Sequence, residues 1–101
     1  MPEIINEENF SQKVDVSGPV LVEFFATWCP HCHRMQPVVD QLTSELTRVE
    51  PVYQIDIDRS PQLAQVYASQ GVPTFVLFDD GKVAKSIAGE QSIETLRNFA
   101  A

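Results

Sequence analysis

Cysteine is scarce in this chain. Cys29 and Cys32 are the only two, and they lie with both histidines, His31 and His33, inside the stretch EFFATWCPHCHRMQP at residues 23 to 37. The pair is not needed as scaffolding, because 101 residues can bury a core unaided, whereas staples become necessary below about 40. Basic residues are also few. Seven Lys and Arg against 14 Asp and Glu leave a net charge of −7, which repels nucleic acid and anionic membranes, so neither is expected as a partner. No apolar run approaches the roughly twenty residues of a membrane span, and Met1-Pro2-Glu3 does not begin a basic-then-apolar leader. A soluble, cytoplasmic protein is therefore expected, and in a reducing cytosol a lone cysteine pair is more often catalytic or metal-binding than structural. The chain has no internal repeat, low-complexity tract or linker, so residues 1–101 read as a single domain.

What is present is an alternation of periods. Residues 3 to 5 form a short candidate strand, and Asn6-Glu7-Glu8 reads as the cap and acidic start of a helix burying Phe10 and Val14. VLVEFFA (20 to 26) is almost continuously apolar, as a strand covered on both faces must be. From Cys29 the period changes, with Met35, Val38, Val39, Leu42 and Leu46 at helical spacing, so a long helix starts at the cysteines and contains Pro37, which is expected to kink it. PVYQIDI (51 to 57) reads as a strand. Ser60-Pro61 reads as the cap and first position of a helix through Leu63, Val66 and Tyr67 that stops at Gly71. TFVLF (74 to 78), Asp79-Asp80-Gly81 and KVAKSIA (82 to 88) read as a hairpin, and Ser92 caps a last helix through Ile93, Leu96 and Phe99. The expected fold is α/β: a central mixed sheet of about five strands, mostly parallel with a C-terminal antiparallel hairpin, flanked by about four helices. Sites in such sheets lie at the carboxyl ends of strands, where the cysteines stand.

Three chemistries compete for this motif. Zinc needs four ligands, or three and a water, and Cys29, His31, Cys32 and His33 on one helical turn point in different directions. A metal or iron-sulfur cluster bridging two chains is left open, with nothing arguing for it. Cys-x-x-Cys-His is also the pattern for haem attachment, but Met35 is too close to His33 to ligate the opposite face of a haem. The dithiol reading needs only what is present. Cysteines three apart on a first helical turn share a face, and the helix N-terminus favours an anion at Cys29.

The set Trp28-Cys29-x-x-Cys32 after an apolar strand, Pro37, Gly71-Val72-Pro73-Thr74, Asp79-Asp80-Gly81-Lys82 and Gly89 closely resembles the thioredoxin family over nearly the whole chain. The resemblance implies a monomeric thiol-disulfide oxidoreductase that reduces protein disulfides. It implies no bound prosthetic group beyond the redox-active Cys29–Cys32 disulfide, and an NADPH-dependent thioredoxin reductase as electron donor. Cys29 would be the exposed nucleophile and Cys32 the resolving thiol. Pro73 matches the family's cis proline, Val72 would offer backbone hydrogen bonds to an extended substrate, and Gly71 and Gly89 would leave room for it, though both read equally well as turn glycines. Trp28 matches the tryptophan that lines the site.

The departures lie around the cysteines. Glu23 replaces a buried aspartate that relays the proton of the resolving cysteine, and Gln54 stands where a lysine is common. Phe25 replaces a tryptophan. Between the cysteines, Pro30-His31 replaces Gly-Pro and resembles the periplasmic disulfide-forming oxidases, whose helical insertion this chain lacks. A His31 imidazole beside the Cys29 sulfur would favour thiolate and make the pair more oxidising. An oxidase or isomerase of the same fold, or a docking subunit with incidental redox chemistry, are the alternatives.

Overall fold

The computed structural model describes residues 1–46 and 50–101. Among these the elements run β1 (Glu3–Ile5), α1 (Phe10–Val14), β2 (Pro19–Phe25), α2 (Pro30–Leu46), β3 (Val52–Asp56), α3 (Pro61–Tyr67), β4 (Thr74–Asp79), β5 (Lys82–Ala88) and α4 (Ile93–Ala100). One five-stranded sheet has the order β1-β3-β2-β4-β5, with β2 at its centre.

The apolar strands fill both faces of that sheet. Val20, Val22 and Phe24 of β2 pack with Ile55, Val76 and Phe78 under α1 and α3, where the rings of Phe10, Phe24, Tyr67 and Phe78 meet at centroid distances of 5.3 to 6.0 Å. The alternate residue Leu21 faces the other way, into a cluster with Met35, Val39 and Leu42 of α2 and Leu96 and Phe99 of α4. The two-residue period of a strand thus assigns Glu23, two residues from Leu21, to the α2 side. Pro37 lies inside α2 without ending it.

The mixed sheet is the expected one, with β4 as the strand that runs against the others. β2 and β3 are parallel, as are β1 and β3, but β4 joins β2 antiparallel before pairing antiparallel with β5. A strand covered on both faces is an apolar run whichever way it points, so its direction leaves no mark on the pattern. The consequence is local: the start of β4 and the end of β5 both arrive at the carboxyl end of β2, beside the cysteines.

Two helix starts also differ. Asn6 closes a turn instead of capping α1: its Oδ1 accepts the Glu8 and Asn9 N–H groups, and helix begins only at Phe10. Ser60 stands at the N-cap of α3 but makes no side-chain cap bond. The free N–H groups of Gln62 and Leu63 are taken at 2.6 and 3.1 Å by the Glu7 carboxylate, which serves equally well because any oxygen acceptor satisfies them. α3 ends at Tyr67, short of Gly71. Ser92 caps α4 as read, accepting the Thr95 N–H.

The Asp80-Gly81 turn of the β4–β5 hairpin has both residues at positive φ, 53° and 82°, the two-residue geometry whose twist matches the flanking strands. A Cβ at Gly81 would lie 2.3 Å from Asp15 Oδ1. Gly81→Ala is therefore expected to destabilise the protein by about 1–2 kcal/mol in urea denaturation. The thiol-disulfide equilibrium should stay unchanged, since the turn is at the far end of β2 from Cys29.

Candidate active site

The site grows from the junction where β2 becomes α2. After Phe25 the chain turns through Ala26, whose carbonyl accepts the Cys29 N–H at 3.2 Å, and α2 begins at Pro30. A proline there gives up no hydrogen bond, since first-turn N–H groups lack helical partners. Cys29 is thus the residue just ahead of the helix, and the Cys32 N–H donates to its sulfur at 3.2 Å. Both cysteines are free thiols. The Cys29 thiol also approaches the Val72 carbonyl at 3.8 Å. Cys29 is only 2% exposed, not the open thiol that the sequence leads one to expect, because Ala26, Ile57 and Val72 pack around the pair. Burial, then the hydrogen bond with Cys29, raise the Cys32 thiol to about 12, with the charge of Glu23 adding to the effect.

Glu23 is fully buried and lies directly across from Gln54 in the β2–β3 register. Gln54 Nε2 donates to Glu23 Oε1 at 2.7 Å and to Gln36 Oε1 at 3.1 Å, while Gln36 Nε2 donates to Asp40 Oδ1 at 2.9 Å. Each amide is oriented by the next group, outward to the Asp40 carboxylate. Glu23 Oε2 is buried with no partner among the described residues. Burial is the main cause that lifts Glu23 to about 7; the Gln54 hydrogen bond opposes it and the charge of Asp40 reinforces it.

The antiparallel strands complete the surroundings. The Val72-Pro73 peptide is cis, and the Gly89 N–H donates to the Pro73 carbonyl at 2.8 Å, tying the start of β4 to the end of β5. Gly71, Val72, Pro73 and Gly89 line a groove of about 410 Å³ together with His31 and Glu90. Gly71 and Gly89 sit at φ 116° and 94°, with open space where a Cβ would be, so each turns the chain and leaves the groove beside it unfilled. Trp28 is 62% exposed and is held by a 2.8 Å hydrogen bond from Nε1 to Asp58 Oδ2.

The two histidines are engaged elsewhere. His33 Nε2 donates to the Thr27 carbonyl. His31 Nδ1 lies 2.6 Å from Glu90 Oε2, and Arg34 reaches both, with Nη2 3.0 Å from the carboxylate and 2.8 Å from the imidazole. Hydrogen bonds from Arg34 and then His31 hold the Glu90 carboxyl down at about 2. Among the described residues no group of three His, Cys, Asp or Glu could hold a metal ion, and no helix is long and apolar enough to cross a membrane.

Gln36, Asp40, Asp58, Arg34 and Glu90 were not anticipated from sequence. Gln36 and Asp40 had a signal, since 32, 36 and 40 follow one helix face. Glu90 had none, being 59 residues from His31.

Two thiols that share a helix turn and a hydrogen bond can exchange electrons with an external disulfide while little else moves, so fold and site together define a dithiol-disulfide exchange protein. Known proteins narrow the class. The family model described as Thioredoxin matches residues 1–101. A thioredoxin of Chlamydia trachomatis is 38% identical over 95% of this chain and 92% of its own length. One from Staphylococcus aureus is 33% identical over 91% and 88%. The structure of a mutant thioredoxin from Halobacterium salinarum superposes with a TM-score of 0.88 at 31% identity, over 98% of this chain and 87% of that one. The chain belongs to the thioredoxin family and is a thiol-disulfide oxidoreductase.

Raised from 4.5 to about 7, Glu23 makes stability depend on pH. Below pH 4.5 folded and unfolded chains both hold its proton. Between the two values only the folded chain does, so stability falls as pH rises and levels off above about 7. At 1.4 kcal/mol per unit, Glu23→Gln is expected to gain about 3 kcal/mol on the parent between about pH 4 and about pH 8, measured by urea denaturation of the reduced proteins. A constant difference across that range would exclude a buried, proton-holding Glu23.

Proposed function

We propose that the protein reduces protein disulfides through Cys29 and Cys32. The Cys29 thiolate attacks one sulfur of the substrate disulfide, whose S–S bond breaks as the mixed disulfide forms, and the departing sulfur takes a proton. Cys32 passes its proton to the Glu23 carboxylate and attacks the Cys29 sulfur. The Cys29–Cys32 disulfide forms and the second substrate thiol leaves, so two electrons have passed to the substrate. The observation that carries this reading is the Cys32 N–H donating to the Cys29 sulfur at the start of α2, where unpaired N–H groups and the helix dipole favour an anion.

The supporting roles follow from position. Val72 and Pro73, with Gly71 and Gly89, receive an extended substrate segment in the groove, and Trp28, fixed by Asp58, covers its side. Glu23, raised to about 7, takes up and releases a proton near neutral pH, which suits a relay for the resolving thiol. No prosthetic group is needed; the redox-active disulfide is the cofactor. An NADPH-dependent thioredoxin reductase in the cytoplasm restores the dithiol, and the protein works as a monomer. Pro30-His31 makes the pair more oxidising than a Gly-Pro pair, supported by His31 and Arg34 both lying within the first five residues of α2, which begins directly after Cys29.

Insulin disulfide reduction with dithiothreitol as donor tests this. Cys29→Ser is expected to lose activity by more than about a thousandfold, while Cys32→Ser accumulates the mixed disulfide, visible by mass. Retained turnover in Cys29→Ser would exclude the mechanism. Binding to an unchanged partner by a Cys29→Ser/Cys32→Ser chain would favour docking. His31→Gly is expected to shift the glutathione equilibrium about threefold to tenfold toward the disulfide, by about 15–30 mV; no shift would remove the proposed contribution of His31.

A further inference from the structure

The His31 side chain has two possible occupations, and the structure shows which it takes. An imidazole two residues from the first cysteine of the pair could donate to its sulfur and stabilise its thiolate. Instead, the Cys29 sulfur has the Cys32 N–H and the Val72 carbonyl as its partners. His31 Nδ1 is committed to Glu90 and Arg34. A single ring nitrogen cannot serve both at once: bearing a proton it donates to Glu90, and without one it accepts from Arg34. Either state leaves it in the cluster. Arg34 binds the same carboxylate through Nε, at 3.2 and 3.3 Å, and through Nη2, so Glu90 is anchored independently of the imidazole.

The placement of Glu90 gives this cluster its leverage. It follows Gly89, whose N–H is tied to the Pro73 carbonyl, so the end of β5 holds the carboxylate opposite the first turn of α2. His31 and Arg34, three apart, share the helix face toward it. We propose that Glu90 is a positioning residue that draws His31 away from the Cys29 sulfur and so holds the reduction potential of the Cys29/Cys32 pair below the value the Pro-His sequence would otherwise give.

The inference rests on the reading of Cys29 and Cys32 as an exchanging dithiol. Loss of the Glu90 charge near the thiolate would by itself favour the reduced form, so the test must separate charge from position. The equilibrium with glutathione buffers is measured by thiol alkylation and mass for four chains: parent, Glu90→Ala, His31→Gly and the double variant. Both substituted side chains are exposed, and folding is followed by circular dichroism. With His31 present, Glu90→Ala is expected to shift the equilibrium about fivefold to tenfold toward the dithiol, about 20–30 mV; in the His31→Gly background the shift falls below about twofold. Glu90→Asp, which keeps the carboxylate, restores most of the parental equilibrium. An equal shift in both backgrounds, or none with His31 present, would overturn the positioning role while leaving the dithiol reading intact. Failure of the parent pair to exchange with glutathione at all would instead overturn the dithiol reading and the inference with it.

Discussion

The site depends on β2 being walled in on every side. Its two faces are covered by helices, and its two edges are hydrogen-bonded to a parallel β3 and an antiparallel β4. The parallel neighbour β3 runs to the cysteine end, where Asp56 pairs with Phe25, and the antiparallel hairpin leaves from that end and returns to it: β4 starts at Thr74, paired with Phe24, and β5 ends at Ala88, paired with Thr74. Pro73 and Gly89 are therefore delivered to the cysteines by register, not by proximity in sequence. A sheet with β4 parallel would place Pro73 at the opposite end, and no groove would adjoin the dithiol.

The same enclosure sets the protonation of Glu23. A carboxylate inside a strand this well covered cannot reach water, so its charged form is disfavoured. A cation across the strand would reverse that and fix Glu23 as an anion. Gln54 offers a neutral N–H instead, and the residual balance puts the group at about 7. The chain of amides from Asp40 through Gln36 and Gln54 ends on Oε1. A proton on Glu23 is left for Oε2, which has no partner among the described residues. Burial likewise raises the Cys32 thiol, with the charge of Glu23 adding to the effect, so the two groups disfavour each other's ionisation.

How much of this was legible follows from distance along the chain. The five strands and four helices were readable because each is a local apolar pattern, and Cys29, Cys32 and Trp28 because they form one short motif. Glu23 was readable as an anomaly, an acid inside an apolar run. The direction of β4 against β2 was not, because covering both faces erases the alternation that would carry it. Nor was the cap of α3, since the group that satisfies Gln62 and Leu63 is Glu7, 55 and 56 residues away. The partner of His31 is lost for the same reason. Side chains that meet across a groove owe their meeting to register, and one sequence contains no spacing that encodes it.

There remains the contrast between what is buried and what is exposed. The groups argued to move protons and electrons, Glu23, Cys29 and Cys32, are all nearly inaccessible, and their neighbours Gln54 and Ala26 are part of the packed interior, so any change among them is also a change to the core. His31, Arg34 and Glu90 are exposed. Ion pairs in water contribute little to stability, and the same holds for the Arg97–Glu45 pair between α4 and the far end of α2. Substitutions at 31, 34 and 90 can therefore alter the electrostatics beside the dithiol at little cost to folding. That separation leaves the packed dithiol and the exposed charges beside it open to change independently of one another.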